Sequence, residues 1–394
     1  MKAQRIVLVG GGHAMLPVLQ AARRWTRAGH TVTLFDPSRY LYYSGMVPEY
    51  LGGVYRRSAV RIDLQALCQA AGVQRVEAAV AGLAPASRTV ATADGRRWPY
   101  DVAAFDVGTR PPGQPEGVVP SKPLHRLLPL ADRVEATLHA ANAALRLAIV
   151  GGGAAGVECA LNLSARFVAA GRAHDLTLHL VEAEDRLLPG FPTGLQAVVQ
   201  RLLEARGAHL HTGAPVATVR ATNVQLATGH KLPADAVLWA TGTAAPAFFE
   251  GALATDARGF AQVASTLQTS APGVFAAGDC ATVQAHPGLA NIGVHAVKQG
   301  PVLRDNLDRV VRARARGRTT DARPLRRFRP YPVAPLILST GTSAGLWTDG
   351  TRWLRGRPLL RVKHYVDRSW MSTYAPRWRT SPRNWLDARA PLRA

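Results

Sequence analysis

Apolar positions in this chain gather into short runs, set off by glycine turns and by longer stretches of helical periodicity. The run Ile6-Val7-Leu8-Val9 is a buried-strand pattern, followed by Gly10-Gly11-Gly12 and a helical stretch from about Ala14 to Ala28 that ends at Gly29. A second strand, Thr31 to Phe35, ends in Asp36. The layout recurs with Arg146 to Val150 as strand, Gly151-Gly152-Gly153-Ala154-Ala155-Gly156 as turn, a helix to about Ala170, and strand Leu176 to Val181 ending in Glu182. This is the βαβ spacing of a dinucleotide site. One match is weak, because glycines also mark ordinary turns. Two in order, each with its acid, predict an α/β fold with two Rossmann-like dinucleotide-binding domains of three-layer ββα build.

In such a unit the glycines let backbone N–H groups and a helix N-terminus approach a pyrophosphate, where the helix dipole favours negative charge. Gly10 and Gly12 take that role in the first unit, and Asp36 is placed to accept the two ribose hydroxyls. One departure stands out: the third glycine, which permits close helix-to-strand packing, is replaced by Met15, so the helix must sit further out or tilt. The second unit keeps all three glycines, Gly151, Gly153 and Gly156, with Glu182 as the ribose-binding carboxylate. A carboxylate there accepts a free 2′-hydroxyl and repels a 2′-phosphate, which predicts NADH over NADPH, with Arg172 and Arg186 near enough in sequence to soften the preference.

Two strand-like segments end in small residues and read as crossings between domains: Asp101 to Phe105 before Asp106-Val107-Gly108-Thr109, and Ala236 to Trp239 before Ala240-Thr241-Gly242-Thr243. The Pro-rich stretch Pro111 to Pro123 suits a linker, as does Thr243 to Phe249. The second unit is therefore expected to be inserted in the first. The expected domains are residues 1–112 with 250–330, residues 113–249, and a C-terminal extension over 331–394.

Composition narrows the class. With 394 residues, 36 glycines and 19% charged residues the chain is that of an ordered protein of more than one domain. The three cysteines, Cys68, Cys159 and Cys280, show no metal or redox spacing, and reduced thiols in a cytoplasmic setting fit them. The chain starts without the pattern of a secretory leader, and the apolar stretch Tyr331 to Trp347 is broken by Pro332, Pro335, Gly341 and Gly345, which argues against a spanning helix. The formal charge is +22, and residues 304–394 hold 21 Lys and Arg against six Asp. Such a surface suits anionic lipid or an acidic partner, while an Arg-rich solvated face needs no partner at all; nucleic acid is not expected.

The segment Ala271 to Asp279 reads as a short buried strand that delivers an aspartate to a turn. Together with the two glycine turns it resembles the pyridine nucleotide-disulfide oxidoreductase superfamily, in which such a Gly278-Asp279 pair holds the ribityl chain of FAD. Tyr43-Ser44-Gly45-Met46-Val47-Pro48, Asp106-Val107-Gly108-Thr109 and Val297-Lys298-Gln299-Gly300-Pro301 resemble the branch of type II NADH dehydrogenases and sulfide:quinone reductases, and within it the bacterial group often found alongside selenide-water dikinase. The resemblance implies FAD in the first unit and NADH in the second. It implies further cofactor contacts from Ser44, Gly45, Val80, Gly108, Thr109 and Gly242. Lys298 and Gln299 would lie beside the isoalloxazine and the acceptor, although a solvated helix face is the plainer reading. Glu158, in the first turn of the second unit's helix, either complements the helix dipole or positions the nicotinamide and handles protons.

No C-x4-C pair lies in Tyr42 to Gly53, so a dithiol relay is not expected, and the three cysteines read as core residues. The implied activity is hydride transfer from NADH to FAD, then electron transfer to a quinone-like acceptor. Two alternatives stay open: a sulfide- or selenium-linked reductase, and an NAD(H)-binding flavoprotein sensor or scaffold. Trp347, Trp353, Trp370, Trp378 and Trp385 among the arginines suggest peripheral contact with the cytoplasmic face of the inner membrane, a cover for the flavin, or a homodimer interface.

Overall fold

The structure, a computed structural model, describes residues 2–318 and 324–374. The chain forms two compact units: Met1–Leu41, Asp63–Arg110 and Ala244–Pro332 make the first, and Tyr42–Ile62, Pro111–Thr243 and the chain from Val333 make the second. The expected boundaries differ, with residues 244–249 joining the first unit and 111–112 the second. Residues 42–62 leave the first unit, and the C-terminal region is part of the second unit rather than an extension of its own.

In the first unit a five-stranded parallel sheet runs in the order Val274–Ala276, Val102–Phe105, Arg5–Val9, Thr31–Phe35, Gln74–Val76. Ile6 to Val9 and Val102 to Phe105 are buried along their whole length, which is why these strands read as unbroken apolar runs rather than alternating ones. The helix Leu16–Arg27 returns the chain between the first two strands. The long helix Gly293–Ala315 comes so near its start that a Cβ on Gly300 would lie 2.9 Å from Pro17 and 3.1 Å from the carbonyl of Ala14.

The second unit repeats the plan with Val119–Pro120, Ala236–Trp239, Leu145–Val150, Leu176–Val181 and His209–His211, all parallel. The presumed linker Pro111 to Pro123 thus supplies an edge strand. Each unit also carries a three-stranded antiparallel sheet, Val80 to Pro99 in the first and Val216 to Pro233 in the second. The second unit adds Leu336–Ser339, Gly345–Thr348 and Trp353–Gly356 as an antiparallel sheet, closed by the helix Arg357–Ser372.

The two glycine turns explain each other. In the second unit the helix begins at Ala154, and a Cβ on Gly156 would lie 1.9 Å from the carbonyl oxygen of Gly151. Only glycine fits that first turn. The first unit has Met15 at the matching position, and its helix begins only at Leu16, after a turn over His13 to Met15. Met15 is fully buried. The side chain is accommodated by delaying the helix.

Candidate functional site

In the first unit Gly10 adopts a left-handed backbone (φ +82°), and a Cβ there would lie 2.3 Å from the carbonyl oxygen of Asp106. Asp36 stands beside the turn: its carboxylate accepts Gly11 N–H at 2.7 Å and Ser38 N–H at 2.8 Å. The strand Val274–Ala276 delivers Gly278 and Asp279 into a 3-10 turn. Gln299 holds that turn, its buried Oε1 accepting Gly278 N–H at 2.6 Å, and Asn291 donates to the Asp279 carbonyl at 2.8 Å. Lys298 lies with its Nζ 3.6 Å above the Tyr331 ring, a cation–π contact. His295 Nδ1 is buried with no hydrogen-bond partner. Gly108 (φ +68°) faces open space, Thr109 is buried, and Val80 is half-buried where the small sheet begins.

The second unit's cradle is more open. Gly151 (φ +111°) would place a Cβ 2.4 Å from the Ala240 carbonyl, whereas a Cβ on Gly153 or Gly242 would meet nothing within 4 Å. Glu182 Oε2 accepts Gly152 N–H at 2.6 Å, and Oε1 accepts Glu184 N–H at 3.0 Å. Thr241 Oγ1 is buried and unsatisfied. Arg172 is committed elsewhere, to Asp175 and to the carbonyls of Thr137, Leu138 and Ala140, so it does not soften the charge at Glu182.

Glu158 does more than complement a dipole. It is buried, and its Oε1 accepts Ser339 N–H at 2.8 Å, which ties the helix Ala154–Ala169 to the C-terminal sheet. Asn162, one turn on, donates to the Ser339 carbonyl at 3.2 Å. Burial pushes the Glu158 carboxyl up to about 7 against the opposing pull of Lys363. A group raised on folding gives stability that is complete in acid and is lost as pH rises through its folded value. Glu158→Gln, which keeps an oxygen for Ser339, is therefore expected to make the decline in melting temperature between about pH 4.5 and pH 7 shallower; thermal scans across that range check it.

Ser44 and Gly45 belong to a turn that a buried ionic cluster holds in place. Lys363 Nζ donates to the Gly45 carbonyl, to Glu49 Oε2 at 2.7 Å and to Asp367 Oδ2 at 2.9 Å. His364 Nε2 is 2.5 Å from Glu49 Oε1, and Tyr43 donates to Asp367 Oδ1 at 3.0 Å while stacking on Trp370 at 4.5 Å. Burial pushes the Glu49 carboxyl up, but Lys363 and His364 outweigh it and hold it below the usual range. The same acids hold the Lys363 ammonium well above its ordinary value despite burial. Ser44 and Gly45 were expected as cofactor contacts by resemblance, whereas this cluster was not expected. Its only local signal is Lys363, His364 and Asp367 within one helical turn.

All three cysteines are free and buried, and burial drives their thiols up, Cys68 and Cys280 to about 12. Such thiols are neutral and packed rather than reactive. Among the described residues no group of three or more His, Cys, Asp or Glu could hold a metal, and no helix is long and apolar enough to cross a membrane. Trp378 and Trp385 lie outside the described residues. Among the described residues of the C-terminal region the large apolar side chains exposed are Tyr331, Val333, Leu354, Val362, Tyr365 and Val366.

Residues 4–302 match the pyridine nucleotide-disulphide oxidoreductase family. The chain is 28% identical over 285 residues to a probable ferredoxin reductase, CtmF, of Castellaniella defragrans, covering 70% of this chain and 67% of that one. It is 33% identical over 150 residues to the type II NADH:quinone oxidoreductase of Haemophilus influenzae, covering 35% and 34%. Its fold is that of NDH2 from Plasmodium falciparum, solved with NADH, at a TM-score of 0.76 with 13% identity and 96% of both chains covered. Two glycine cradles that exclude a Cβ, each with a carboxylate on its turn, and the unsatisfied Thr241 and His295 atoms beside them, fit the FAD and NADH that this family binds. The chain belongs to the pyridine nucleotide-disulphide oxidoreductase family and is a flavin-dependent NAD(P)H oxidoreductase.

Proposed function

We propose that this protein oxidises NADH and delivers the electrons to a quinone-like acceptor at a membrane surface. The observation that carries the acceptor is the outer face of the helix Arg357–Ser372, where Val362, Tyr365 and Val366 are exposed at helical spacing, Tyr365 at 72%, beside Arg361. An apolar stripe flanked by cations suits an interface with anionic lipid, where quinones dissolve. Bound FAD supplies the hydride acceptor at N5 and the step from two-electron to one-electron chemistry. The protein supplies the rest. Gly10, Gly12, Gly278 and Asp279 bind and orient the flavin nucleotide, Gln299 fixes the Gly278 turn, and Lys298 contributes positive charge. Gly151, Gly153, Gly156 and Gly242 cradle the second dinucleotide, Glu182 takes its ribose, and Glu158 positions the nicotinamide or holds a proton for it.

Anaerobic titration with NADH, followed by a short-chain quinone, tests the proposal. Bleaching and rapid recovery of the flavin absorbance support it; bleaching without recovery by quinone but with recovery by a ferredoxin moves the acceptor to the kind named for CtmF. The three cysteines are buried with their thiols raised, so none supports a sulfide-linked reaction that runs through a cysteine thiolate. Negligible turnover with any acceptor would favour the scaffold reading. Glu182→Ala is expected to lower the preference for NADH over NADPH about tenfold or more in kcat/KM, because a carboxylate that rejects the 2′-phosphate is gone. If Glu158→Gln leaves both NADH binding and the rate of flavin reduction unaltered, its role at the nicotinamide is lost.

A further inference from the structure

The two units, laid over each other by their glycine turns, differ at one more place. Where the strand Ala236–Trp239 leads into Ala240, the strand Val102–Phe105 leads into Asp106: a Cβ on Gly151 would meet the Ala240 carbonyl and one on Gly10 the Asp106 carbonyl, so the two residues are structural counterparts. Ala240 leaves the space over Gly153 empty. The Asp106 carboxyl group borders that space in the first unit, with its carbon 2.4 Å and both oxygens 2.5 Å from where a Cβ on Gly12 would stand, and Oδ1 2.2 Å from a Cβ on Gly278. Asp106 Oδ2 accepts Met15 N–H at 3.0 Å, and the carboxyl also takes Ala14 N–H. These donors belong to the turn that replaces the first turn of the helix in this unit. Met15 and Asp106 thus meet in one arrangement: the methionine delays the helix, and its N–H is shared between the Gly12 carbonyl and the Asp106 carboxyl.

That carboxyl lies in the cradle of an anion. The titratable groups on the elements around it are His13 of the turn, Asp36, Asp279 and Cys280 of the 3-10 turn, and His295 of the long helix. The strongest charges acting on it are acidic, Asp279 and then Asp36. Burial, assisted by these two, drives the Asp106 carboxyl up to about 7 even before a diphosphate approaches.

We propose that Asp106 is a positioning residue that couples flavin binding to a proton: as a neutral acid it joins the Gly12 turn to the Gly278 turn and admits the FAD diphosphate, and as a carboxylate it excludes it. The inference rests on the flavin reading of the first unit, not on the acceptor. A diphosphate beside the group raises its affinity for a proton further, so binding takes up one proton above the group's own midpoint and weakens as pH rises.

The test follows release of FAD on dilution of the purified holoprotein, read by the gain in flavin fluorescence, and needs no turnover. For the unmodified protein the apparent dissociation constant is expected to rise about thirtyfold from pH 6 to pH 8.5, approaching tenfold per unit at the upper end. Asp106→Asn, neutral and of the same shape, is expected to give a flat profile and tighter binding than the unmodified protein at pH 8.5. Asp106→Ala, the counterpart of Ala240, is expected to be equally flat. It keeps the proposal testable if the asparagine variant does not fold. A flat profile in the unmodified protein, or an unchanged slope in either variant, overturns the proposal. Absence of bound FAD at every pH would instead overturn the flavin reading itself, together with this inference.

Discussion

Replacing Lys363 with methionine is expected to lower the unfolding midpoint by roughly 10 °C at neutral pH. Removing one partner of a buried ion pair costs about 3 to 5 kcal/mol, because the other charge stays buried and unpaired, and about 2 to 4 °C is lost per kcal/mol in domains of this size. Among the described residues Glu49, fully buried, would keep only His364, and Asp367 would keep only Tyr43. Glu49 is held below its ordinary value, so its share of stability is present at neutral pH and lost in acid as the folded carboxyl protonates; the raised Lys363 is charged throughout that range. The deficit of the variant should therefore shrink as pH falls. Arg39→Met, which removes the exposed pair with Asp63, is the control and should leave the melting temperature close to that of the unmodified protein. Thermal scans of both variants decide the matter; equal melting temperatures would mean that the cluster contributes no more than a surface pair.

Gly156→Ala is expected to weaken NADH binding by about a hundredfold, or roughly 2.7 kcal/mol, and to destabilise the second unit as well. The new Cβ would stand 1.9 Å from the Gly151 carbonyl oxygen, a backbone atom that no rotamer can move. The helix would have to begin later, as it does after Met15, and its first N–H groups would leave the cradle. Gly153→Ala separates the two effects, because its Cβ meets nothing within 4 Å. That variant should melt like the unmodified protein yet bind NADH weakly, since its methyl occupies the space a phosphate needs. NADH titration beside a melting curve distinguishes the pair.

The parts of this molecule that could be read along the chain are those where neighbouring residues carry the constraint. Ile6 to Val9 and Arg146 to Val150 declare buried parallel strands by their own continuity, and Gly151, Gly153, Gly156 and Glu182 declare a cradle by spacing. Met15 was legible as a departure whose consequence, a displaced helix, took the form of a later start. Its compensation was not legible, because Asp106 is 91 residues away and meets Met15 only through a backbone N–H. The ionic cluster escaped for the same reason, since an acid at position 49 and a lysine at 363 carry no mutual signal until the fold joins them. Arg172 misled in the opposite sense: close to Glu182 in sequence, it is drawn away by carbonyls at the end of another helix. The tryptophans of the C-terminal region pointed to a surface, but Trp370 is spent on Tyr43, and the exposed apolar side chains on its helix are Val362, Tyr365 and Val366.

The distance between Glu49 and Lys363 also sets a schedule for synthesis. They stand 314 residues apart, so at about 5 to 20 residues per second the acid waits roughly 15 to 60 s for its lysine to be made. Until then the Tyr43–Pro48 turn has no anchor, and burying Glu49 would strand a charge. The second unit can settle only when the ribosome has passed the helix Arg357–Ser372. A chain that stalls before that helix should be cut readily by protease near Glu49, while a completed one should resist, which makes that helix the checkpoint between nascent and native protein.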